Sequence, residues 1–148
     1  WGPVKDLTPL RTLQQLEGLS LGTTSVEDIS PVADLPALTM LQLVNLKHVR
    51  DLGPLAAAAR LQFLEVEGYW QGPQKTHLLN LEFARELHDL RALSIGYVIV
   101  EDLDVTPLLG LTRLEYLDLP SVSQRDRDRL LEALPALRYG NVVHSDDE

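Results

Sequence analysis

Residues 28–43 read DISPVADLPALTMLQL, a phrase that recurs in weaker form along the whole chain. Its end, Leu-x-x-Leu-x-Leu, closes with period-two alternation, so the last two Leu point to one side of a short strand and the residue between them points to the other. Its start, Asp-apolar-small-Pro-apolar, is typical of a helical turn, because Pro at the first helical position has no N–H to leave unpaired. The stretch therefore predicts one strand, one turn and one short helical segment.

Copies of the strand phrase align in six units, which are spaced by 22, 23, 29, 24 and 23 residues. The aligned triplets are Leu16, Leu19 and Leu21; Leu38, Leu41 and Leu43; Leu61, Leu64 and Val66; Leu90, Leu93 and Ile95; Leu114, Leu117 and Leu119; and Leu137, Gly140 and Val142. A single unit cannot bury its apolar face, whereas stacked units share a continuous core. The repeats therefore predict a solenoid.

The helical phrase recurs between the strands, and an Asp opens each copy. The residue before the Pro is a favoured N-cap type in each case: Thr8, Ser30, Gly53 and Thr106. We therefore expect these residues to cap the helical segments.

Composition narrows the functional class. A net charge of -9 over 148 residues argues against a nucleic-acid footprint and against docking on an anionic membrane. The absence of Cys excludes disulfides and Cys-ligated zinc, and no apolar run approaches the length of a membrane span. No two of the four His stand four residues apart, the spacing that puts two ligands on one helical face, so no metal or cofactor is predicted.

The repeat register also suggests how the chain is divided. Residues 4–7 (VKDL) align with residues 26–29 (VEDI), so the first unit begins without its strand. We expect residues 1–143 to form one domain of about six units, truncated at its N terminus from a longer protein, with an acidic tail at residues 144–148. Residues 123–126 (SQRD) have the form of a capping box with Asp in place of Glu or Gln, which predicts a longer helix through Leu130, Leu131 and Leu134.

The units resemble leucine-rich repeats of the short class, similar to those of bacterial internalins and phosphatase-regulating repeat proteins. The family pattern, Leu-x-x-Leu-x-x-Leu-x-Leu-x-x-Asn-x-Ile-x-Asp-Ile-x-Pro-Leu, covers essentially the whole chain. The resemblance implies an α/β solenoid: a right-handed horseshoe or arc with a parallel concave sheet and short helical or 3-10 convex segments. One departure is the inward Asn, whose place is taken by Thr24 and by apolar residues such as Val98 and Val122. The turn amides must therefore find other partners.

In this class the residues flanking the core leucines face the concave surface, where a mixture of aromatic and acidic side chains suits a protein or peptide partner. The partner-binding residues predicted on this face and in the loop after it are Gln42, Phe63, Glu65, Glu67, Tyr69, Trp70, Tyr116 and Asp118. The alternative is that several of them merely face solvent.

The third unit is longer than the others, and its excess falls in residues 67–77, EGYWQGPQKTH. Aromatic residues beside a groove are common interface anchors, so one hypothesis places Tyr69 and Trp70 with Phe63 and Tyr116 in a single exposed aromatic-acidic patch. The other makes Trp70 a lid over a longer helix through Leu81, Phe83 and Leu87.

The pattern predicts a protein-interaction or ligand-recognition module without enzymatic activity, because no nucleophile–base pair falls on adjacent coils. The first hypothesis is the C-terminal sensing or autoinhibitory array of a cytoplasmic, NLR-like protein with a NACHT-type nucleotide-binding switch, similar to bacterial and eukaryotic immune sensors. Its partners would be a protein or peptide and other domains of its own longer chain, with no nucleic acid and no membrane. The alternatives are a secreted or surface adhesin of the internalin kind, which binds a host receptor, and an intracellular adaptor or phosphatase regulator.

Overall fold

The computed structural model describes residues 4–22 and 25–144. Thr24 and the tail residues 145–148, both named in the sequence predictions, lie outside these ranges. The strands of the described part are β1 (Gly18–Gly22), β2 (Met40–Val44), β3 (Phe63–Glu67), β4 (Thr76–Leu78), β5 (Ala92–Gly96), β6 (Val98–Val100) and β7 (Tyr116–Asp118). Its helices are α1 (Ser30–Ala33), α2 (Gln124–Ala133) and short 3-10 segments at Thr8–Thr12, Gly53–Ala57, Glu82–Ala84 and Thr106–Leu108.

The main sheet follows the predicted repeat register. Its strands are all parallel and run in the order β1-β2-β3-β5-β7. Their pairing places side by side the leucines that align in the sequence: Leu19, Leu41, Leu64, Leu93 and Leu117. A parallel bridge between Tyr116 and Tyr139 adds the sixth unit in the same register. The predicted parallel solenoid with short helical and 3-10 segments is confirmed.

The core lies between this sheet and the helical turns. Side chains of the strands and of the turns are buried together, including Leu41, Leu64, Leu93, Val32, Leu55 and Leu108. Full burial of one such side chain stabilises the fold by about 2 kcal/mol. At the β1 edge of the described sheet the equivalent residues Leu16, Leu19 and Leu21 are only partly buried. The core is therefore least complete at that end.

The prediction that the residue before Pro caps each helical segment is wrong. Thr8, Ser30, Gly53 and Thr106 are the first helical residues, and the N-cap residues before them make no side-chain capping bond. The carboxylate of the Asp that opens each phrase accepts the N–H instead, over 2.7–2.9 Å. A charged acceptor forms a stronger hydrogen bond than a hydroxyl, and the hydroxyls of Ser30 and Thr106 donate to the same Asp.

The predicted C-terminal helix is confirmed. Ser123 is the N-cap of α2, and its hydroxyl oxygen accepts the Asp126 N–H over 3.1 Å. Leu130 and Leu134 are buried in the common core, whereas Leu131 is exposed. Asp126 completes the cap by accepting the Ser123 hydroxyl over 2.8 Å.

The long third unit forms a second sheet rather than a plain loop. Strand β4 pairs with β6 in parallel, and Thr76 and Leu78 point into the core. The predicted longer helix is wrong: the segment makes one 3-10 turn, Glu82–Ala84, although Leu81, Phe83 and Leu87 are all buried as expected. Two tight backbone turns, ending at Leu87 and Leu90, follow at once and return the chain to β5, so a long helix has no room.

In place of the missing inward Asn, the turns are bonded to backbone carbonyls of neighbouring coils and to the side chain of Asn141. The Asn45 N–H donates to the Glu67 carbonyl over 2.7 Å, and the Gly68 N–H donates to the Gly96 carbonyl over 2.9 Å. In the last unit the Asn141 side chain binds both the N–H and the carbonyl of Leu119. Successive coils are therefore joined by backbone bonds, and Val98 is free to enter the core.

Candidate functional site

The outward face of the main sheet carries a groove of about 520 Å³. It is lined by residues at the first and third positions of neighbouring strands, the positions that alternate with the buried leucines. These side chains are Ser20, Met40, Gln42, Phe63, Glu65, Ala92, Ser94 and Tyr116. We refer to them as the groove residues.

An apolar strip runs across the strand starts. Met40 lies beside Phe63, Phe63 beside Ala92 and Ala92 beside Tyr116. The exposed fractions are 53% for Met40, 41% for Phe63 and 36% for Tyr116. Neighbouring strands are about 4.8 Å apart, so these side chains form one continuous surface. Contiguous exposed apolar residues mark a contact surface, whereas isolated ones do not.

A hydrogen-bonded row runs parallel to the strip, at the third strand positions. The Ser20 hydroxyl donates to Gln42 Oε1 over 2.7 Å, and Gln42 Nε2 donates to Glu65 Oε2 over 3.0 Å. Beyond Ser94, the Tyr116 hydroxyl donates to Asp118 Oδ2 over 2.5 Å. Within residues 4–22 and 25–144, no cationic side chain lies within 4 Å of either carboxylate. The row therefore presents two oriented and uncompensated negative charges.

The hydroxyl of Tyr116 is held in its neutral form. Its hydrogen bond to Asp118 raises the pKa of Tyr116 above the ordinary value, and burial and the negative charges of Asp118 and Glu65 raise it further. Loss of the proton would place a phenolate beside two carboxylates. Tyr116 therefore remains a hydrogen-bond donor at neutral pH and keeps Asp118 in place.

The structure divides the predicted binding residues into two groups. Gln42, Phe63, Glu65 and Tyr116 line the groove, with Asp118 bonded to Tyr116 and Glu67 two residues beyond Glu65 on β3. Tyr69 and Trp70 follow the other end of β3, and the four steps from Phe63 to Glu67 already cover about 13 Å. Tyr69 and Trp70 are not among the residues that line the groove, and a single patch of all four aromatic residues stays a prediction.

Trp70 is not a lid. Its side chain is 61% exposed, whereas Leu81, Phe83 and Leu87, which it was expected to cover, are buried. Leu78 of β4 belongs to the same buried core, and Thr76 of that strand is also buried. An anchoring role for Tyr69 and Trp70 stays a prediction.

The predicted partner-binding set left out four groove residues, Ser20, Met40, Ala92 and Ser94, of which Met40 has the largest apolar side chain. Its signal was present in the repeat alignment, because Met40 immediately precedes Leu41 as Phe63 precedes Leu64 and Tyr116 precedes Leu117. Met is a flexible and polarisable apolar residue that adapts to irregular partners. It extends the apolar strip by one strand towards β1.

Comparisons with known proteins bear on the fold. No protein-family model and no curated protein sequence matches this chain. A leucine-rich-repeat protein of Leptospira interrogans superposes with a TM-score of 0.71 at 19% identity, over 91% of this chain and 33% of that one. Internalin C2 of Listeria monocytogenes superposes with a TM-score of 0.55 at 25% identity, over 93% of this chain and 66% of that one. The chain spans one third of the first protein and about two thirds of the second, and the likeness shows the fold that the repeats predict.

Proposed function

We propose that this leucine-rich-repeat domain is a protein-recognition module whose groove binds a partner segment with both apolar and cationic side chains. The observation that carries the proposal is the pairing of an exposed apolar strip with the oriented carboxylates of Glu65 and Asp118. The strip offers Met40, Phe63 and Tyr116 for burial, and aromatic anchors supply much of the binding energy at protein interfaces.

The acidic row supports a cationic partner. A Lys or Arg beside Glu65 or Asp118 would compensate a charge that has no cation near it in the described residues. An acidic or purely apolar segment would remove water from both carboxylates without supplying a cation, which disfavours binding. Charge therefore selects the partner, and the apolar strip supplies affinity.

The groove is also organised in advance. Every groove residue stands on a strand of one parallel sheet, and side-chain hydrogen bonds restrict Gln42, Glu65 and Tyr116 before any partner arrives. Side chains that are already ordered lose less entropy on association. This rigidity supports recognition of a defined sequence.

The finer role that we propose is that of a sensing or autoinhibitory array in a larger, cytoplasmic, NACHT-type protein. In the described part of the chain, the core leucines at the β1 edge are only partly buried, and Leu13 nearby is 45% exposed. Repeat units remain stable when neighbouring units cover such edges. Contact with another part of the same protein there, together with a ligand that competes at the groove, would give a switch controlled by differential binding.

An adhesin of the internalin kind is the second candidate, favoured by the 25% identity to internalin C2 over 93% of this chain. The full reading frame separates the two roles. A nucleotide-binding phosphate loop in the same frame supports the sensor, whereas a secretion signal supports the adhesin. Recognition through the groove is common to both.

The groove is tested by selecting displayed random peptides on the purified domain. We expect the selected peptides to combine an apolar residue with Lys or Arg. The double variant Glu65→Gln/Asp118→Asn should bind them at least about tenfold more weakly, a loss of about 1.4 kcal/mol. The matched control is Glu27→Gln/Glu132→Gln, which removes two exposed carboxylates elsewhere. Selected peptides without cationic residues, or equal binding by the two variants, would contradict the proposal.

A further inference from the structure

A basic concavity lies beyond the far ends of the sheet strands, away from the groove. The chain is acidic overall, with a net charge of -9 and only three lysines. Two of these, Lys47 and Lys75, meet in a concavity of about 230 Å³ with Arg50, His77 and Glu101. We call these five residues the basic flank.

The flank forms where three neighbouring coils lie side by side at the second sheet. The Leu79 N–H donates to the Arg50 carbonyl over 3.0 Å, and the Glu101 N–H donates to the Leu78 carbonyl over 2.8 Å. Strand β4 thus lies between the turn after β2 and the end of β6. Its alternating residues Thr76 and Leu78 are buried, which leaves His77 facing outward.

The charges of the flank do not balance. Glu101 pairs with Arg50, and its carboxylate also lies 3.5 Å from His77 Nδ1. Neither Lys47 nor Lys75 has a carboxylate within 4 Å in the part of the chain that the structure describes. The only acid that lines the concavity is therefore engaged, and two ammonium groups remain uncompensated.

Exposed apolar residues adjoin the flank. Lys75 also lines a neighbouring concavity of about 510 Å³ together with Tyr97 and Ile99, and Ser94 and Asp118 line its side towards the groove. Tyr97 is 62% exposed and Ile99 is 46% exposed. A ligand that reached both concavities across Lys75 would meet positive charge and apolar surface together.

Tyr97 is an exposed aromatic residue in a turn with left-handed backbone. Its φ is +53°, in the left-handed region that disfavours residues with a Cβ. Asn45 has a φ of +54° at the equivalent position after β2, so the turn itself takes this conformation; the particular feature here is that a Tyr occupies it with most of its side chain in solvent. Strained backbone that holds an exposed side chain is a recurrent property of binding surfaces.

We infer that the basic flank with Tyr97 and Ile99 is a second binding site, for an acidic segment of a partner protein that also carries an apolar residue. Carboxylates of the segment meet Lys47 and Lys75, and the apolar residue packs on Tyr97 and Ile99. The remaining acidic surface repels such a segment and so directs it to this flank. Asp118 of the acidic row also lines the Tyr97 concavity, so the apolar residue of the segment packs there while its carboxylates stay on the lysine side, whereas the groove selects cationic residues.

The test is fluorescence anisotropy with a labelled Asp-Glu-Leu-Asp-Glu-Leu-Asp-Glu peptide. We expect saturable binding, and we expect Lys47→Glu/Lys75→Glu to weaken it at least about tenfold. The matched control is Arg60→Glu/Arg138→Glu, which changes the net charge equally at the opposite ends of the strands. Failure of the peptide to bind, or equal weakening by the two variants, would overturn the inference.

Two further measurements fix the chemistry and the role of Tyr97. Anionic vesicles and an RNA oligonucleotide of equal charge should compete poorly with the peptide. Competition as strong as that of unlabelled peptide would show a general polyanion surface and overturn a protein-specific site.

Tyr97→Gly should raise the thermal midpoint of unfolding and weaken peptide binding several-fold, whereas Tyr97→Phe should keep the affinity. Full affinity in Tyr97→Gly would contradict the inferred contact. Peptides selected on the groove should bind the Lys47→Glu/Lys75→Glu variant no more weakly than they bind the parent. The proposals for the two sites can therefore be contradicted independently.

Discussion

At the residue scale, one Asp in each helical phrase connects the sequence to the turn that follows. Asp28 Oδ1 accepts both the N–H and the hydroxyl of Ser30, and Asp104 Oδ1 accepts the same groups of Thr106. Asn80 takes the equivalent position in the long unit, where its Oδ1 accepts the Glu82 N–H over 3.0 Å. The acceptor oxygen, rather than the charge, is therefore the common requirement of the turn.

These contacts make stability depend on pH. Hydrogen bonds from the Ser30 side chain and backbone lower the pKa of Asp28, and those from Thr106 lower the pKa of Asp104 in the same way. A carboxylate with a lowered folded-state pKa stabilises the fold fully above its unfolded pKa of about 3.9. That stabilisation is lost as the pH falls through the lower folded value.

We predict that Asp28→Asn/Asp104→Asn keeps the turns, as Asn80 does, but flattens the acid dependence of stability. Urea unfolding of the parent and the variant at a series of pH values from neutral to about 2 would measure this. The variant should lose less free energy of unfolding between neutral pH and acid than the parent. Asp102→Asn/Glu132→Gln is the control, since these exposed carboxylates accept no side-chain hydrogen bond among the described residues. A parent-like acid slope in the Asp28→Asn/Asp104→Asn variant would contradict the assignment.

At the scale of the elements, the second sheet depends on a close approach at Gly68, just after β3. A Cβ at this position would lie 2.0 Å from the Tyr97 carbonyl oxygen and 3.3 Å from the Thr76 Cβ. The Gly68 N–H meanwhile donates to the Gly96 carbonyl. The coil that carries β4 can therefore pack against the coil that carries β6 only if residue 68 has no side chain.

We predict that Gly68→Ala lowers the free energy of unfolding by about 2–3 kcal/mol, because backbone atoms must move to accept the methyl group. Gly96→Ala is the matched control: nothing lies within 4 Å of its Cβ position, so its effect should stay within about 0.5 kcal/mol. Chemical denaturation of the two variants would compare them. A Gly68→Ala variant as stable as Gly96→Ala would show that the two coils are not in close contact.

At the scale of the whole molecule, stability is distributed along a stack of units that contact mainly their neighbours. Leu93 lies at a central position of the leucine row and is 0% exposed, whereas Leu19 on the edge strand is only partly buried. Both occupy the same place in the repeat. Their difference in burial is therefore a property of position in the stack.

We predict that Leu93→Ala destabilises the domain by about 3 kcal/mol, because it removes buried methyl groups and leaves a cavity. Leu19→Ala should cost about 1 kcal/mol, since the side chain transfers less surface from water on folding. Thermal and urea unfolding of both variants would measure this, with circular dichroism to confirm that the folded states are intact. Equal losses would indicate that the edge is covered as well as the centre, for example by self-association.

The sequence by itself determined the repeat register, the five main-sheet strands, the bridge of the last unit and the core leucines. These features depend on local periodicity: period two marks a strand, and a recurrent spacing near 23 residues places equivalent leucines on adjacent coils. Ser123 was found in the same way, because a capping box is a local pattern. The position of the groove residues followed as well, since they alternate with the buried leucines, and Gln42, Phe63, Glu65 and Tyr116 were predicted individually.

Only the tertiary structure decided the features that join coils of unequal length. The second sheet, the burial of Thr76 and Leu78, and the exposure of Trp70 all arise in the long unit, where the repeat spacing breaks. Lys47 and Lys75 meet for the same reason, although 28 positions separate them in the chain. A periodic pattern specifies which residues share a face of one coil, whereas contacts across an insertion depend on how the backbone packs in space.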